Sequence, residues 1–528
     1  MKSLQNKRQL ASSISVIAIA TALTVATPAF AQAGSSTLQG RAPAGAEVVA
    51  TQVDTGTVRR VTANADGRYV MPGLQPGNYH VTSGGKAQDV TVPVASTSVV
   101  DFAAAAAERG AIVVTARRPT VDTKSSSVNQ IVTLHDIASL PQTTRNFLEF
   151  ADTVPGMQFN VDQGHNTSIR GGAQLDSAVN VYIDGVSQKD YVGSGGGTGG
   201  SGSGFTGSGG ADGSGDPGNP FPQLAIAEYK VVASNYTAEY GDAASAIIIA
   251  QTKSGTNSFY GEAFGTYTNE HLRKKRPDEI ASGAAKAHEP SKEYGVAVGG
   301  PIVKDFAHFF FTWEHKSLAD YSTVYPSGDV PPSAIALLPG DVASEFGPVT
   351  NPFKENLYFG KIDVEPTQND RLEFTGNLRL ETNLTGGNGQ NAASTAVPYK
   401  NNVKRYDGRW EHNGDGWFNA FRVSYQDALS AAQPTQASPQ FDYVYFPNDP
   451  NGPNSNANSA SIINVGGPGS GVGKINRQKG WTFADDVTFT NIHLAGDHTL
   501  KLGASYGSIN LTTANASADL ATPPISSQ

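Results

Sequence analysis

Nine segments between residues 258 and 512 show apolar and polar residues that alternate with a period of two. In 371–381, for example, Leu372 and Phe374 fall on one face, while Arg371 and Glu373 fall on the other. This is the period of a β-strand, because its successive side chains point to opposite faces. The pattern predicts strands at 258–269, 292–300, 305–317, 355–365, 370–381, 402–412, 416–428, 478–491 and 498–512.

The connections between these predicted strands alternate in length. Outer-membrane barrels combine short periplasmic turns, long extracellular loops and strands with one apolar, lipid-facing side. A soluble sandwich also has half-polar strands, but it has no reason to sort its loops by length. Residues 254–528 are therefore predicted to form the first strands of an antiparallel transmembrane β-barrel. The short turns lie at 300–304, 365–369, 413–415 and 491–497, and the long segments at 270–291, 318–354, 382–401 and 429–477.

Two smaller units precede these strands, so the chain as a whole is predicted to be mostly β. Residues 35–102 are predicted to form a small β-sandwich, with a hairpin turn at Asp66-Gly67 between alternating runs. Residues 119–253 combine two short helices, at 134–137 and 144–150, with several strands, which predicts an α+β domain. One of its strands is turned by Asp184-Gly185.

The N-terminus has the pattern of a signal peptide for export. Lys2, Lys7 and Arg8 precede an apolar run at 14–25 that is too short to span a bilayer, and small residues occupy the cleavage positions in Ala29-Phe30-Ala31. We expect residues 1–31 to be removed and the protein to reach the outer membrane. A net charge of -9 gives no basic footprint for nucleic acid, and the absence of cysteine excludes disulfides and thiolate metal sites.

No motif in the chain predicts catalysis, a cofactor site or a metal site. Gly503-Ala504-Ser505-Tyr506-Gly507 matches the G-x-S-x-G hydrolase pattern, but Ser505 falls in the middle of a predicted strand rather than at a strand-to-helix turn. The adjacent pairs Glu314-His315 and Glu411-His412 point to opposite faces of their strands, so neither pair can bind one metal alone.

Several motifs resemble those of known families. The turns at 64–70 and 74–79 (D-G-R-Y and L-x-P-G-x-Y) resemble the carboxypeptidase regulatory-like domain. The motifs I-R-G at 169–171 and Y-I-D-G at 182–185 resemble the plug of TonB-dependent outer-membrane receptors. The segments 219–224, 236–241 and 252–257 resemble the Oar-like branch of that family, and the segment 299–302 resembles the family's first barrel turn.

The segment Ile112-Val113-Val114-Thr115-Ala116 resembles the TonB box, where an extended peptide adds to the sheet edge of the inner-membrane TonB complex. It lies in a linker at 103–118 between the sandwich and the plug. The resemblance implies that Arg170 and Asp184 contact the barrel from the plug; the alternative for Arg170 is an exposed charge in a turn.

The resemblance implies a transporter that binds an extracellular ligand, lies in the lipid of the outer membrane and is energised through the TonB box. It implies neither a cofactor nor a catalytic residue. An alternative is a surface adhesion protein that uses the long loops without transport, and a third is a secreted enzyme with a regulatory β domain. Because nine strands do not close a plugged barrel of about 22 strands, we expect the sequence to be the N-terminal part of a longer receptor.

Overall fold

A computed structural model describes residues 35–102, 127–161, 167–172, 174, 178–189, 218–237, 239–283, 285–432, 439–446, 459–467, 474–493 and 497–515. These residues are mostly β-strand with a few short helices. The predicted signal peptide and the segment Ile112–Ala116 lie outside the described residues. No helix among the described residues is long and apolar enough to cross a bilayer.

Residues 35–102, here called the N-terminal β domain, contain two sheets that share one apolar core. Leu38, Val48, Tyr79 and Val81 are fully or almost fully buried in it. The strands are β1 Ser36–Arg41, β2 Glu47–Gln52, β3 Val58–Thr62, β4 Arg68–Leu74, β5 Gly77–Ser83, β6 Lys86–Val92 and β7 Thr97–Val99, in the orders β4-β1-β7 and β3-β2-β5-β6.

The predicted hairpin at Asp66-Gly67 is wrong, because β3 and β4 belong to different sheets. The Asn64 side chain accepts hydrogen bonds from the backbone N–H groups of Asp66 and Arg68, at 3.0 and 2.8 Å. Gly67 adopts φ +71°, which suits glycine. A turn does form at Asp66-Gly67, but it carries the chain from one sheet to the other instead of pairing its flanking strands.

The described residues of 127–253, here called the middle unit, contain a five-stranded sheet with the order β12-β11-β14-β13-β8. A 3-10 helix, Phe147–Thr153, packs on this sheet and begins at Asn146, whose side chain accepts from the Leu148 N–H. The elements are β8 Val128–Val132, α1 Leu134–Ser139, β9 Met157–Val161, β10 Thr167–Gly171, β11 Asn180–Ile183, β12 Val186–Ser187, a second 3-10 helix Gln223–Ala225, β13 Ile226–Ser234 and β14 Ile247–Thr252. Strands β9 and β10 form a separate pair.

The remaining strands build one nine-stranded antiparallel sheet in which almost every strand pairs with its sequence neighbour. All nine predicted strands are present, and several extend into the segments that were predicted to be loops. The strands are β15 Tyr260–Thr268, β16 Ser291–Val303, β17 Ala307–Val324, β18 Gly347–Val364, β19 Asp370–Thr385, β20 Val397–Gly414, β21 Trp417–Ala432, β24 Lys474–His493 and β25 Asp497–Asn515, with a separate hairpin of β22 Gln440–Tyr445 and β23 Ala460–Gly466 before β24.

In the nine-stranded sheet, apolar side chains are exposed and charged side chains are buried, which is the reverse of their usual distribution in a soluble protein. Large apolar side chains such as Phe374, Trp410 and Trp481 are exposed, whereas charged ones such as Lys361 and Arg379 are buried. This is the pattern of strands that face lipid outward and a polar interior inward. It agrees with the predicted alternation of charges and apolar residues in 371–381.

The long connections carry a small folded cluster of their own. Val324, Val330, Val342, Ala392 and Ile463 are buried together, and the hairpin β22–β23 packs against them. The short helices of this end are Glu270–Leu272 (3-10), α2 Pro277–Ser282, α3 Pro332–Ile335, α4 Gly340–Ala343 and Ala393–Thr395 (3-10).

Candidate functional site

The middle unit touches strands at both ends of the nine-stranded sheet. Arg145 lies over the ring of Phe264 in β15, with its guanidinium carbon 3.4 Å from the ring centroid. At the other end, Glu239 pairs with Lys501 in β25. The sheet therefore curves around the middle unit, and its polar face is the wall against which that unit is held.

Asp184 is one point of attachment to this wall. It lies in the two-residue turn between β11 and β12, where Asp184 and Gly185 have φ values of 49° and 80°. Its carboxylate accepts from the Thr252 backbone N–H at 2.9 Å and from the Thr252 hydroxyl at 2.6 Å. Lys361 Nζ of β18 lies 3.7 Å from the same carboxylate. Burial raises the pKa of Asp184, and the Lys361 ammonium opposes this rise.

Behind Lys361 the charges continue as a buried network in the sheet. Lys361 Nζ lies 3.0 Å from Glu373, and Arg371 contacts Glu373 at 2.7 Å and Glu411 at 3.2 Å. Arg371 also pairs with Asp363. All of these side chains are at least nine-tenths buried, so each charge depends on its neighbours for compensation.

A second set of attachments joins backbone N–H groups of the middle unit to carboxylates of the sheet. The Asn219 N–H lies 3.0 Å from each oxygen of Glu355 in β18, and the Leu224 N–H donates to Glu314 in β17 at 2.6 Å. Arg379 in turn lies 3.3 Å from Glu355. The chain segment 219–224 is therefore held by two buried acceptors that belong to the sheet.

A cavity of about 160 Å³ lies beside the β11–β12 turn, between the middle unit and strands β20, β21, β24 and β25. Its lining is mixed and includes the polar side chains of Lys189, Asp242, Arg405, Arg422 and Gln426. Arg422 Nη1 and Gln426 Nε2 are buried and have no hydrogen-bond partner among the described residues. The chemistry of this space suits a polar solute rich in acceptor atoms.

The residues singled out from the sequence have different positions. Asp184 is buried against Lys361, as described above. Arg170 lies exposed on β10 and joins no ion pair among the described residues, so its contact with the sheet stays a prediction. Ile112, Val113, Val114, Thr115 and Ala116 lie outside the described residues.

The chemical motifs of the nine-stranded sheet are all placed within strands. Ser505 lies in β25, paired with Ala484, and no strand-to-helix turn surrounds it. Glu314 and Glu411 face the interior, whereas His315 and His412 contact Asn356 and Asp370 instead. Within the described ranges, no group of three or more acidic or histidine side chains could bind a metal ion.

Sequence reasoning missed the sheet residues that hold the middle unit, namely Glu314, Glu355 and Lys361. Their alternation with apolar neighbours did predict that they face the interior. Which of the many interior charges meets a backbone N–H of the middle unit depends on how the two bodies fit together, and the sequence carries no local signal for it.

Two family models match the chain. One, an outer membrane beta barrel domain, covers residues 251–356, and the other, a carboxypeptidase regulatory-like domain, covers residues 35–105. The TonB-dependent transporter Oar of Myxococcus xanthus is 26% identical over 325 residues, which is 56% of this chain and 28% of that protein. The chain is homologous to a TonB-dependent transporter.

The chain is also similar to the solved structure of the outer membrane transporter YddB from Escherichia coli, with a TM-score of 0.54 and 12% sequence identity. The match covers 73% of this chain and 48% of the YddB chain. At this identity the likeness shows the fold alone. The chain thus spans less than half of the length of each of these two relatives. The outer membrane beta barrel model and the similarity to Oar indicate an outer-membrane location. Both Oar and YddB are named as transporters rather than enzymes.

Proposed function

We propose that this chain acts in TonB-dependent transport of a ligand across the outer membrane. In this proposal the N-terminal β domain is a sandwich, the middle unit is the plug and the nine-stranded sheet is barrel wall. A ligand binds on the side of the long loops, and TonB adds to the segment Ile112–Ala116 and pulls. The plug then moves relative to the wall and opens a path.

The observation that carries the proposal is the way in which the middle unit is attached. It contacts the wall from β15 to β25, so it obstructs the interior that the sheet encloses. Its attachments include ion pairs and hydrogen bonds, such as those of Asp184 with Lys361 and of Leu224 with Glu314, beside an apolar contact of Phe221 with Phe359. Water can replace polar contacts of this kind when the interface opens, at a smaller cost than exposing an apolar core.

The cavity beside the β11–β12 turn supports the same proposal. It lies between plug and wall, where a path for a ligand would begin to open. A polar ligand is favoured over an apolar one, because the lining offers Arg422 and Gln426 as donors.

The test is to disrupt strand addition at the proposed TonB box. Proline removes a backbone donor and restricts φ, so Ile112→Pro or Val114→Pro should abolish contact with TonB and energised uptake. Contact is measured by cross-linking the Thr115→Cys variant to TonB in cells, since the chain contains no other cysteine. Uptake is measured by profiling growth of a deletion strain, complemented with each variant, on candidate nutrients.

Thr123→Pro, in the polar run that follows the box, is the matched control and should leave both measurements unchanged. If both box variants still cross-link and support growth, the box assignment is wrong. If deletion of residues 112–116 stops uptake but leaves attachment to surfaces intact, transport is favoured over adhesion.

A further inference from the structure

The N-terminal β domain is docked on the end of the nine-stranded sheet that carries the short turns, here called the short-turn end. Thr57 Oγ1 donates to Glu365 at 2.6 Å, and Arg59 Nη1 donates to the Gln368 carbonyl at 2.8 Å. The Asn257 N–H donates to the Asp54 carbonyl at 2.9 Å. Thr57 and Arg59 are buried in this contact rather than exposed at the edge of a free domain.

The contact continues to the next turn of the sheet. Gly73 lies so close to the ring of Phe418 in β21 that any Cβ at this position would overlap the ring. Gln75 reaches both Glu411 in β20 and Gln251 in β14, each at 3.5 Å. The domain therefore spans the short-turn end from the β16–β17 turn to the β20–β21 turn.

The same domain also covers one face of the five-stranded sheet of the middle unit. Val94, fully buried, packs with Tyr182, Ile247 and Ile249 on the face opposite to the main core. The Val94 N–H donates to Glu228, and Lys230 Nζ donates to the Ala95 carbonyl at 2.8 Å. Ala95 adopts φ +46°, which turns the loop toward β13.

We propose that the N-terminal β domain is a latch: its surface of residues 54–60, 73–75 and 93–96 binds the short-turn end and the middle unit of the same chain. The middle unit opens only after this domain has undocked. In outer-membrane barrels the short turns are periplasmic, so the latch closes the exit on the periplasmic side. The docking stands on the contacts above, and only its consequence for transport rests on the proposed function.

The reason is geometric. Strand β14 is the central strand of the five-stranded sheet, and Ile247 and Ile249 on one of its faces are covered by the Val94 loop. The opposite face lies in the main core with Ile248 and Ala250. While the N-terminal β domain is docked, both faces of β14 are covered. If the middle unit moved toward the periplasm, it would collide with that domain.

A reversible cross-link tests the proposal. Arg60 Nε lies 3.3 Å from the Gln368 side chain, and both residues are exposed. In the Arg60→Cys/Gln368→Cys variant, a short thiol-cleavable bifunctional reagent ties the domain to the short-turn end. The readout is hydrogen exchange of the β14 amides in the purified chain in detergent. If β14 opens only after undocking, the cross-link should slow its exchange by about tenfold or more, and reduction should restore the original rate.

The matched control keeps the first position and moves the second into the domain. Arg60 Nη1 lies 3.2 Å from Glu47, so the Arg60→Cys/Glu47→Cys variant takes the same reagent without joining two bodies. Its β14 exchange should not change. The proposal is overturned if the two cross-linked variants exchange β14 at the same rate, or if the Arg60→Cys/Gln368→Cys pair fails to cross-link under conditions that link the control.

A third variant weakens the docking of the N-terminal β domain instead of locking it. Val94→Ala removes apolar contact with the middle unit but leaves the separate core of the N-terminal β domain intact, because Val94 is not part of that core. It should speed exchange of β14 by about tenfold, and unchanged exchange would contradict the latch. None of these readouts depends on TonB, so they can fail or succeed independently of the box variants.

Discussion

The middle unit is held together and held in place by two different kinds of contact. Inside it, Phe147, Leu148, Ile169 and Ile248 are fully buried among apolar neighbours. Against the wall, its contacts include carboxylates, an ammonium group and backbone N–H groups, as at Asp184 and Lys361, beside an apolar contact where Phe221 meets Phe359. The first kind of contact gives the unit its own stability, and the second gives it a defined position.

The difference follows from how burial affects the two kinds of group. Apolar surface stabilises in proportion to the area removed from water and needs no particular partner. A buried ion pair gains little net free energy, because desolvation offsets the attraction, yet removing one partner is costly. The polar part of the contact with the wall can therefore separate without unfolding the middle unit, provided that the charges separate together or are rehydrated.

The largest effect should come from breaking the apolar interior. Phe147 is fully buried and meets Tyr229 edge-to-face at 5.7 Å. Phe147→Ala should destabilise the middle unit by about 3–5 kcal/mol, because it creates a cavity. Hydrogen exchange of β13 and β14 measures this as a loss of protection. Leu134→Ala, at a position that is 48% exposed, is the control and should change little.

A somewhat smaller effect is expected at the seat. Lys361→Met removes the cation between Asp184 and Glu373, and should loosen the middle unit by about 3 kcal/mol, because both buried carboxylates lose a cationic neighbour, and only Glu373 keeps another, Arg371. The double variant Lys361→Met/Glu373→Leu should recover part of this loss, since Asp184 keeps its hydrogen bonds to Thr252. Denaturant-dependent exchange of β11 measures both. A double variant as damaged as the single one would show that side-chain packing, rather than charge, holds the seat.

The same contrast explains how much of this molecule its sequence predicts. The nine strands follow from alternation, because Phe374 faces outward and Glu373 inward whatever their neighbours are. The Asp184-Gly185 turn follows from local conformational preference, since both residues adopt positive φ there. Such features depend only on residues close in the chain.

Features that depend on the fit of separate bodies are not predicted in this way. Asp66-Gly67 has the same local signal as Asp184-Gly185, but the two strands around it join different sheets. Likewise, Glu314 differs in no local respect from other interior carboxylates, although it is the one that accepts the Leu224 N–H. Contacts between residues so distant in sequence are fixed by the assembled fold and not by the pattern on either side.

The smallest effect concerns the third contact of the middle unit, with the N-terminal β domain. Burial raises the pKa of Glu228 from 4.5 to about 7, and the hydrogen bond from the Val94 N–H opposes this rise only in part. Lys230, two residues further along β13, donates to the Ala95 carbonyl. The docked state therefore holds a proton on Glu228 more tightly than the undocked state, in which we expect the carboxyl to be solvated.

The protonated Glu228 carboxyl therefore stabilises the docked state fully below about pH 4.5, and this stabilisation is lost as the pH rises through about 7. We expect the docking equilibrium constant to fall by roughly 70-fold between about pH 5 and about pH 8. The yield of the Arg60→Cys/Gln368→Cys cross-link measures this change. The Arg60→Cys/Glu47→Cys control corrects the yield for the effect of pH on thiol ionisation and therefore on the rate of the reagent. Glu228→Gln should remove the dependence, because the amide oxygen still accepts from the Val94 N–H but carries no proton equilibrium. If the glutamine variant keeps the same pH profile, a titratable group other than Glu228 controls the pH dependence of docking. The apolar packing of Val94 would then be the dominant contact between the N-terminal β domain and the middle unit.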